Sequence, residues 1–262
     1  MSAALESTAF LMYHELERAG RPLCSTEPGY VRYVVTEDDF RAQMDHVVAT
    51  GKRGLGVSAW LDADDASAAR TVVLTFDDGC ETDLIAAAPL LEERGFGATC
   101  YLTVNFLDRR GYLTRAQVRE LAAAGIEVGC HSMSHAYLSD LDDVALHREI
   151  VQSKHELESI SGVAIRSFSC PGGRYDDRVL PMARAAGYDS VTTSKAVWNV
   201  HTHPADLLGR IAILQDTSME RFVATLSGRD IGARKLRDSA LTAAKSILGN
   251  SLYEKLRKTV LG

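Results

Sequence analysis

Four side chains in two short clusters could carry hydrolytic chemistry. Asp77 and Asp78 are adjacent, in Thr75-Phe76-Asp77-Asp78-Gly79, and His131 and His135 stand four apart, in His131-Ser132-Met133-Ser134-His135. Two imidazoles and one carboxylate suit a divalent ion and leave coordination positions open, as a catalytic rather than a structural site requires. On a helical turn the His-x-x-x-His spacing would place both rings on one face. One aspartate then completes the ligand set, and the other is free to accept a proton. Asp-Asp-Gly alone reads more simply as a turn capping the next helix. The histidines are what set it apart.

The surrounding chain predicts how these residues are held. Thr71-Val72-Val73-Leu74 is apolar and β-branched, a buried strand that delivers the two acids to its end. Gly79 breaks the strand, which predicts both carboxylates on the turn. Ile126 to Cys130 is a second strand ending at His131, and Phe10 to Tyr13 a third ending at His14. Further strands are predicted at 98–102, 167–169, 190–193 and 210–214. Helices are predicted at 36–49, 83–94, 114–124, 142–161, 177–186 and 218–227, with a surface loop over 62–69. About seven strands alternating with helices imply parallel pairing, in a doubly wound sheet or a barrel. No GxGxxG or GxxxxGK[ST] follows a strand, which removes the main reason for a nucleotide-binding sheet. A barrel brings all strand ends to one face, and the chemically interesting residues sit at strand ends.

Composition narrows the function class. A net charge of −6 argues against a general nucleic-acid binder. No run of about 18 apolar residues is present, so no spanning helix is expected. Met1 to Glu6 lacks the basic and apolar regions of a secretory signal. Five cysteines, an odd number without CxxC spacing, predict a reduced, cytoplasmic chain with buried thiols. Residues 233–262 differ from the rest. Arg234, Lys235, Arg237, Lys245, Lys255, Arg257 and Lys258 face only Asp238 and Glu254, and the apolar residues between them keep helical spacing. The expected organisation is a catalytic domain over 1–232 and a basic amphipathic helical tail over 233–262. The tail either packs on the domain or docks on the anionic inner face of a membrane.

Thr75 to Gly79, then His131 to His135, then Phe168-Ser169-Cys170-Pro171-Gly172-Gly173-Arg174-Tyr175 resemble, in order and spacing, three motifs of the polysaccharide deacetylases (carbohydrate esterase family 4). The resemblance runs from about Tyr13 to about Leu214. It implies a distorted (β/α) barrel of about seven strands. It also implies one divalent ion, most often zinc, on Asp78, His131 and His135, with Asp77 as general base. The implied reaction removes acetyl groups from N-acetylated amino sugars and releases acetate. Such an ion lowers the pKa of water from 15.7 to about 7. Asp77 would then accept a proton from water already made acidic. Pro171 and Gly172 are candidates for the substrate and oxyanion side, through the Gly172 N–H.

Two departures stand out. The family's third motif often carries an arginine that contacts the base, and here Ser169 holds that place, with Arg166 and Arg174 out of register. The histidine expected near the C-terminus as general acid has no clean match. Met12-Tyr13-His14-Glu15-Leu16 resembles the N-terminal Tyr-His segment of exopolysaccharide deacetylases, which makes His14 the preferred acid. His201 and His203 are the alternatives. The expected substrate is an N-acetylglucosamine-containing exopolysaccharide or its lipid-linked precursor. A C–N hydrolase of small amides and a carbohydrate-binding pseudoenzyme are the competing readings.

Overall fold

The computed structural model describes residues 7–201, 207–229 and 232. His203 and the tail over 233–262 lie outside the described residues.

Nine parallel strands form the main sheet: β1 (Phe10–Tyr13), β2 (Arg53–Leu55), β3 (Thr71–Asp78), β4 (Thr99–Leu102), β5 (Glu127–Cys130), β6 (Ser167–Ser169), β7 (Ser190–Thr192), β8 (Leu207–Leu208) and β9 (Ile211–Ala212). Their order is β8-β7-β6-β5-β4-β3-β1-β9, with β2 paired to the start of β3. Only Gly209 and Arg210 separate β8 from β9, yet these strands end opposite sides of the sheet. The two sides therefore meet, and the sheet curls into the distorted barrel that the family resemblance implied. Glycine is required at this seam. A Cβ on Gly209 would fall 2.5 Å from the Lys195 carbonyl oxygen and 2.1 Å from Val197. The Asn199 side chain fixes the Gly209 backbone, donating to its carbonyl (2.8 Å) and accepting from its N–H (2.9 Å).

The helices on the outside follow their caps. Thr36 accepts from the Asp39 N–H at the start of α1 (Glu37–Ala49), which buries Phe40, Met44 and Val47. Thr114 and Gln117 form a capping box ahead of α2 (Arg115–Ala123). Gly162, in the left-handed conformation, closes α3 (Ser153–Ser161). Ser218 caps α4 (Met219–Leu226). Two of the predicted long helices loosen into π-type turns, at Asp83–Ala87 and Arg148–Gln152. The stretch expected to be a loop over 62–69 contains a short helix, Asp65–Ala69, because the Asp64 carboxylate caps it by accepting from the Ser67 N–H. Phe10, Phe40, Leu74, Phe76 and Phe168 are fully buried. Each stabilises the fold by about 1.5–3 kcal/mol relative to exposure.

Candidate active site

β3 carries both aspartates as its last two residues, still in register with β4 at Tyr101 and Leu102. They are therefore part of the strand, where a turn was expected. Successive side chains on a regular strand point to opposite faces. Asp78 escapes this rule because its φ is +80°, and Gly79 follows at +81°. The left-handed step swings the Asp78 carboxylate toward the side that Asp77 faces.

His131 directly follows β5, and the histidine motif is not a helical turn. Ser132 (φ +68°) and His135 (φ +63°) both take left-handed conformations, and the segment coils back on itself. Side chains hold this loop. Ser132 Oγ accepts from the His135 N–H (3.0 Å), while Glu149 receives the Ser134 N–H (2.8 Å) and hydroxyl (2.7 Å). His135 stacks on Phe106 with ring centres 5.8 Å apart. The two imidazoles meet because of this coil.

His135 Nε2 lies 3.4 Å and His131 Nε2 3.7 Å from Asp78 Oδ1. Two atoms each bound about 2.1 Å from one tetrahedral ion stand about 3.4 Å apart. Asp78 Oδ1 is buried and has no hydrogen-bond partner. His131 Nδ1 sits 2.9 Å from the Ser169 carbonyl oxygen, which can only accept, so the proton is on Nδ1 and Nε2 presents its lone pair. Burial, which outweighs the opposite pull of Asp77, holds His131 down to about 4, so it is neutral near pH 7. A carboxylate oxygen without a hydrogen-bond partner and two imidazole nitrogens suit zinc or a similar divalent ion.

Asp77 is gripped by a residue that its sequence position did not announce. Arg210, fully buried at the barrel seam, donates Nη1 to Asp77 Oδ1 (2.6 Å) and Nη2 to Asp77 Oδ2 (2.7 Å). The same guanidinium donates to Ser169 Oγ (2.8 Å), Thr75 Oγ1 (3.1 Å) and the Thr193 carbonyl (3.2 Å). Burial alone would raise the Asp77 pKa, but Arg210, aided by His131, holds it well below the usual carboxylate range. Ser169 stands where the family often has arginine, and its hydroxyl receives an arginine that arrives from the seam between β8 and β9. The available signal was a charged residue opening an apolar strand, which needs a buried partner.

His14 closes the same end of the barrel, just past β1. It is half-buried, lies in electrostatic reach of Asp78 and Asp77, and stacks near Tyr33 (4.6 Å). Its Nδ1 is buried without a hydrogen-bond partner. Burial lowers its pKa against the upward pull of the two aspartates. His201 is elsewhere. Its Nδ1 pairs with Asp65 (2.8 Å), its Nε2 donates to the Trp60 carbonyl (2.9 Å), and its ring packs edge-on to Trp60. Trp60 also packs against Phe10 at the start of β1, so His201 sits at the opposite end of the strands from Asp77. The structure does not bring it to the site. Pro171 and Gly172 follow β6 in a tight turn, with Pro171 buried and Gly172 exposed. Gly172 takes φ +59°, and a Cβ there would lie 2.8 Å from the Tyr137 ring.

Residues 64–191 match the family model for polysaccharide deacetylases. The Bacillus subtilis protein YxkH, provisionally named a polysaccharide deacetylase, is 27% identical over 164 residues, or 62% of this chain and 59% of its own. The peptidoglycan-N-acetylglucosamine deacetylase of Bacillus cereus is 30% identical over 138 residues, or 52% of this chain and 60% of its own. This chain thus spans about three fifths of the length of the curated relatives it matches. A crystal structure of a polysaccharide deacetylase from Bacillus cereus aligns with a TM-score of 0.71 and 25% identity, over 84% of this chain and 69% of that one. Strand-end motifs, curled parallel sheet and relatives agree, and residues 64–191 belong to the polysaccharide deacetylase family.

Proposed function

We propose that this chain is a metal-dependent N-deacetylase that removes acetyl groups from N-acetylated amino sugars of an exopolysaccharide or its precursor. The observation that carries the reading is the convergence of Asp78, His131 and His135 beside a second carboxylate, Asp77, held ionised by Arg210. Asp78, His131 and His135 would hold the ion, most simply zinc. When bound it supplies acidification of water and polarisation of the acetyl carbonyl.

Asp77 takes the proton of the attacking water. Its Oδ2 is the oxygen that faces the cluster, 3.8 Å from His131 Nε2. A carboxylate so depressed is a weak base, so it serves only where the water is already acidic. The Gly172 N–H is the candidate donor to the developing oxyanion. His14 gives a proton to the departing amine. Its lowered pKa makes the protonated ring a ready donor. Expulsion of the amine leaves acetate and a free amino sugar.

The free thiols support a reducing compartment, and the basic spacing of residues 233–262 supports a tail that docks beside a catalytic domain over 1–232. Among the described residues no helix is long and apolar enough to cross a membrane. A lipid-linked or soluble N-acetylglucosamine-containing precursor at the inner membrane face fits both features. Acetate release from N-acetylglucosamine oligomers, lost on chelation and restored by zinc, tests the activity. No release from any N-acetylated glycan by zinc-loaded protein would refute it. Co-sedimentation with anionic vesicles, compared with a chain ending at residue 232, tests the tail.

A further inference from the structure

Behind the Asp78 cluster lies a second group of ligating side chains that the proposed reaction does not use. Glu15, Cys24 and Cys80 place one carboxylate oxygen and two sulfurs within 4.8 Å of one another. Cys80 is buried and Cys24 half-buried. Their Sγ atoms are 3.7 Å apart. Two thiolates each about 2.3 Å from one tetrahedral ion stand about 3.8 Å apart. Tyr30 Oη sits 2.8 Å from Glu15 Oε2 and 3.3 Å from Cys80 Sγ, at a fourth corner. Gly111 makes room for the sulfur: its carbonyl is 3.1 Å from Cys24 Sγ, and a Cβ there would fall 2.8 Å from that atom.

The local charge points the same way. Glu15 is 3% exposed, and its carboxylate receives the Cys24 N–H and the Tyr30 hydroxyl. Asp83, in electrostatic reach of Cys24 and Glu15, is 1% exposed, and no cation pairs with its carboxylate among the described residues. The nearby cation, Arg21, is paired with Glu81. Buried acidic groups gathered this closely are costly without a positive charge. A disulfide would join the sulfurs but add no positive charge beside Glu15 and Asp83.

We propose that Cys24, Cys80 and Glu15 form a second cation site, which takes a thiophilic divalent ion such as zinc. On binding, the two thiols release their protons to solvent, and the ion is held by two thiolates and one carboxylate. Glu15 follows His14, and Cys80 lies two residues beyond Asp78. The ion would therefore tie the segment around Cys24 to the backbone of two segments that build the active site.

Cadmium titration of the reduced full-length protein reads this site alone. The Asp78–His131–His135 cluster has no sulfur, so it is silent in the ultraviolet sulfur-to-cadmium charge-transfer band. The expected result is a band with the intensity of one thiolate-bound cadmium per chain, which is lost in Cys24→Ser and persists with weaker binding in Glu15→Gln. Zinc should also protect Cys24 and Cys80 of the unaltered protein from alkylation, which needs no variant. No band, a band unchanged in Cys24→Ser, or a Cys24–Cys80 disulfide in the isolated protein would overturn the proposal. None of these results bears on acetate release, so the deacetylase reading stands or falls separately.

Discussion

Arg210 holds Asp77 by two parallel hydrogen bonds, of 2.6 and 2.7 Å, across the seam that closes the barrel. A fork of this kind fixes both the charge and the orientation of the carboxylate. Replacing Arg210 by Ala leaves a buried, unpaired charge and should destabilise the fold by about 3–5 kcal/mol. Arg210→Lys keeps a charge but not the fork. It should lower kcat by about 10- to 100-fold, on the scale of other orienting partners, and move the Asp77 limb of the pH–rate profile upward. An unchanged profile in Arg210→Lys would mean that the guanidinium is only structural.

His14 should act on turnover and not on the ion. In His14→Ala we expect kcat to fall by about 100-fold or more, with zinc content unchanged by elemental analysis. A variant with the wild-type rate would remove His14 from the chemistry.

Acid should destabilise the metal-free protein in a defined window. His131 falls from an ordinary 6.5 to about 4 in the folded chain, chiefly through burial. Between those values the unfolded chain binds the extra proton, so stability drops as pH falls from about 6.5 to about 4 and then levels for this group. The shift corresponds to about 3 kcal/mol. Asp77, also depressed, adds a loss of the same sign at lower pH. Urea midpoints of chelated protein should follow this course and flatten in His131→Asn. A midpoint constant from pH 6.5 to 4 would contradict it.

Much of this architecture was legible because it rests on local rules. Thr36, Thr114 and Ser218 cap helices that were expected to begin at those positions, and the runs around Leu74, Cys100, Val128 and Phe168 are the strands they resemble. What escaped depends on long-range closure or on backbone conformation. Nothing near Arg210 in sequence connects it with Asp77, which is 133 residues away. The two meet only because the sheet curls until β8 and β9 adjoin. Left-handed Asp78, Ser132 and His135 are costly single-residue choices that periodicity does not reveal. His201 looked usable as an isolated histidine, and only the barrel's polarity shows that it faces Trp60 and Asp65 at the other end.

The division of labour between the adjacent aspartates is the central claim, and Asp77→Asn tests it most directly. Zinc content and acetate release should be measured on the same preparation. The account predicts wild-type zinc with acetate release reduced by about 100-fold or more. Near-normal acetate release from the zinc-loaded Asp77→Asn protein would contradict it.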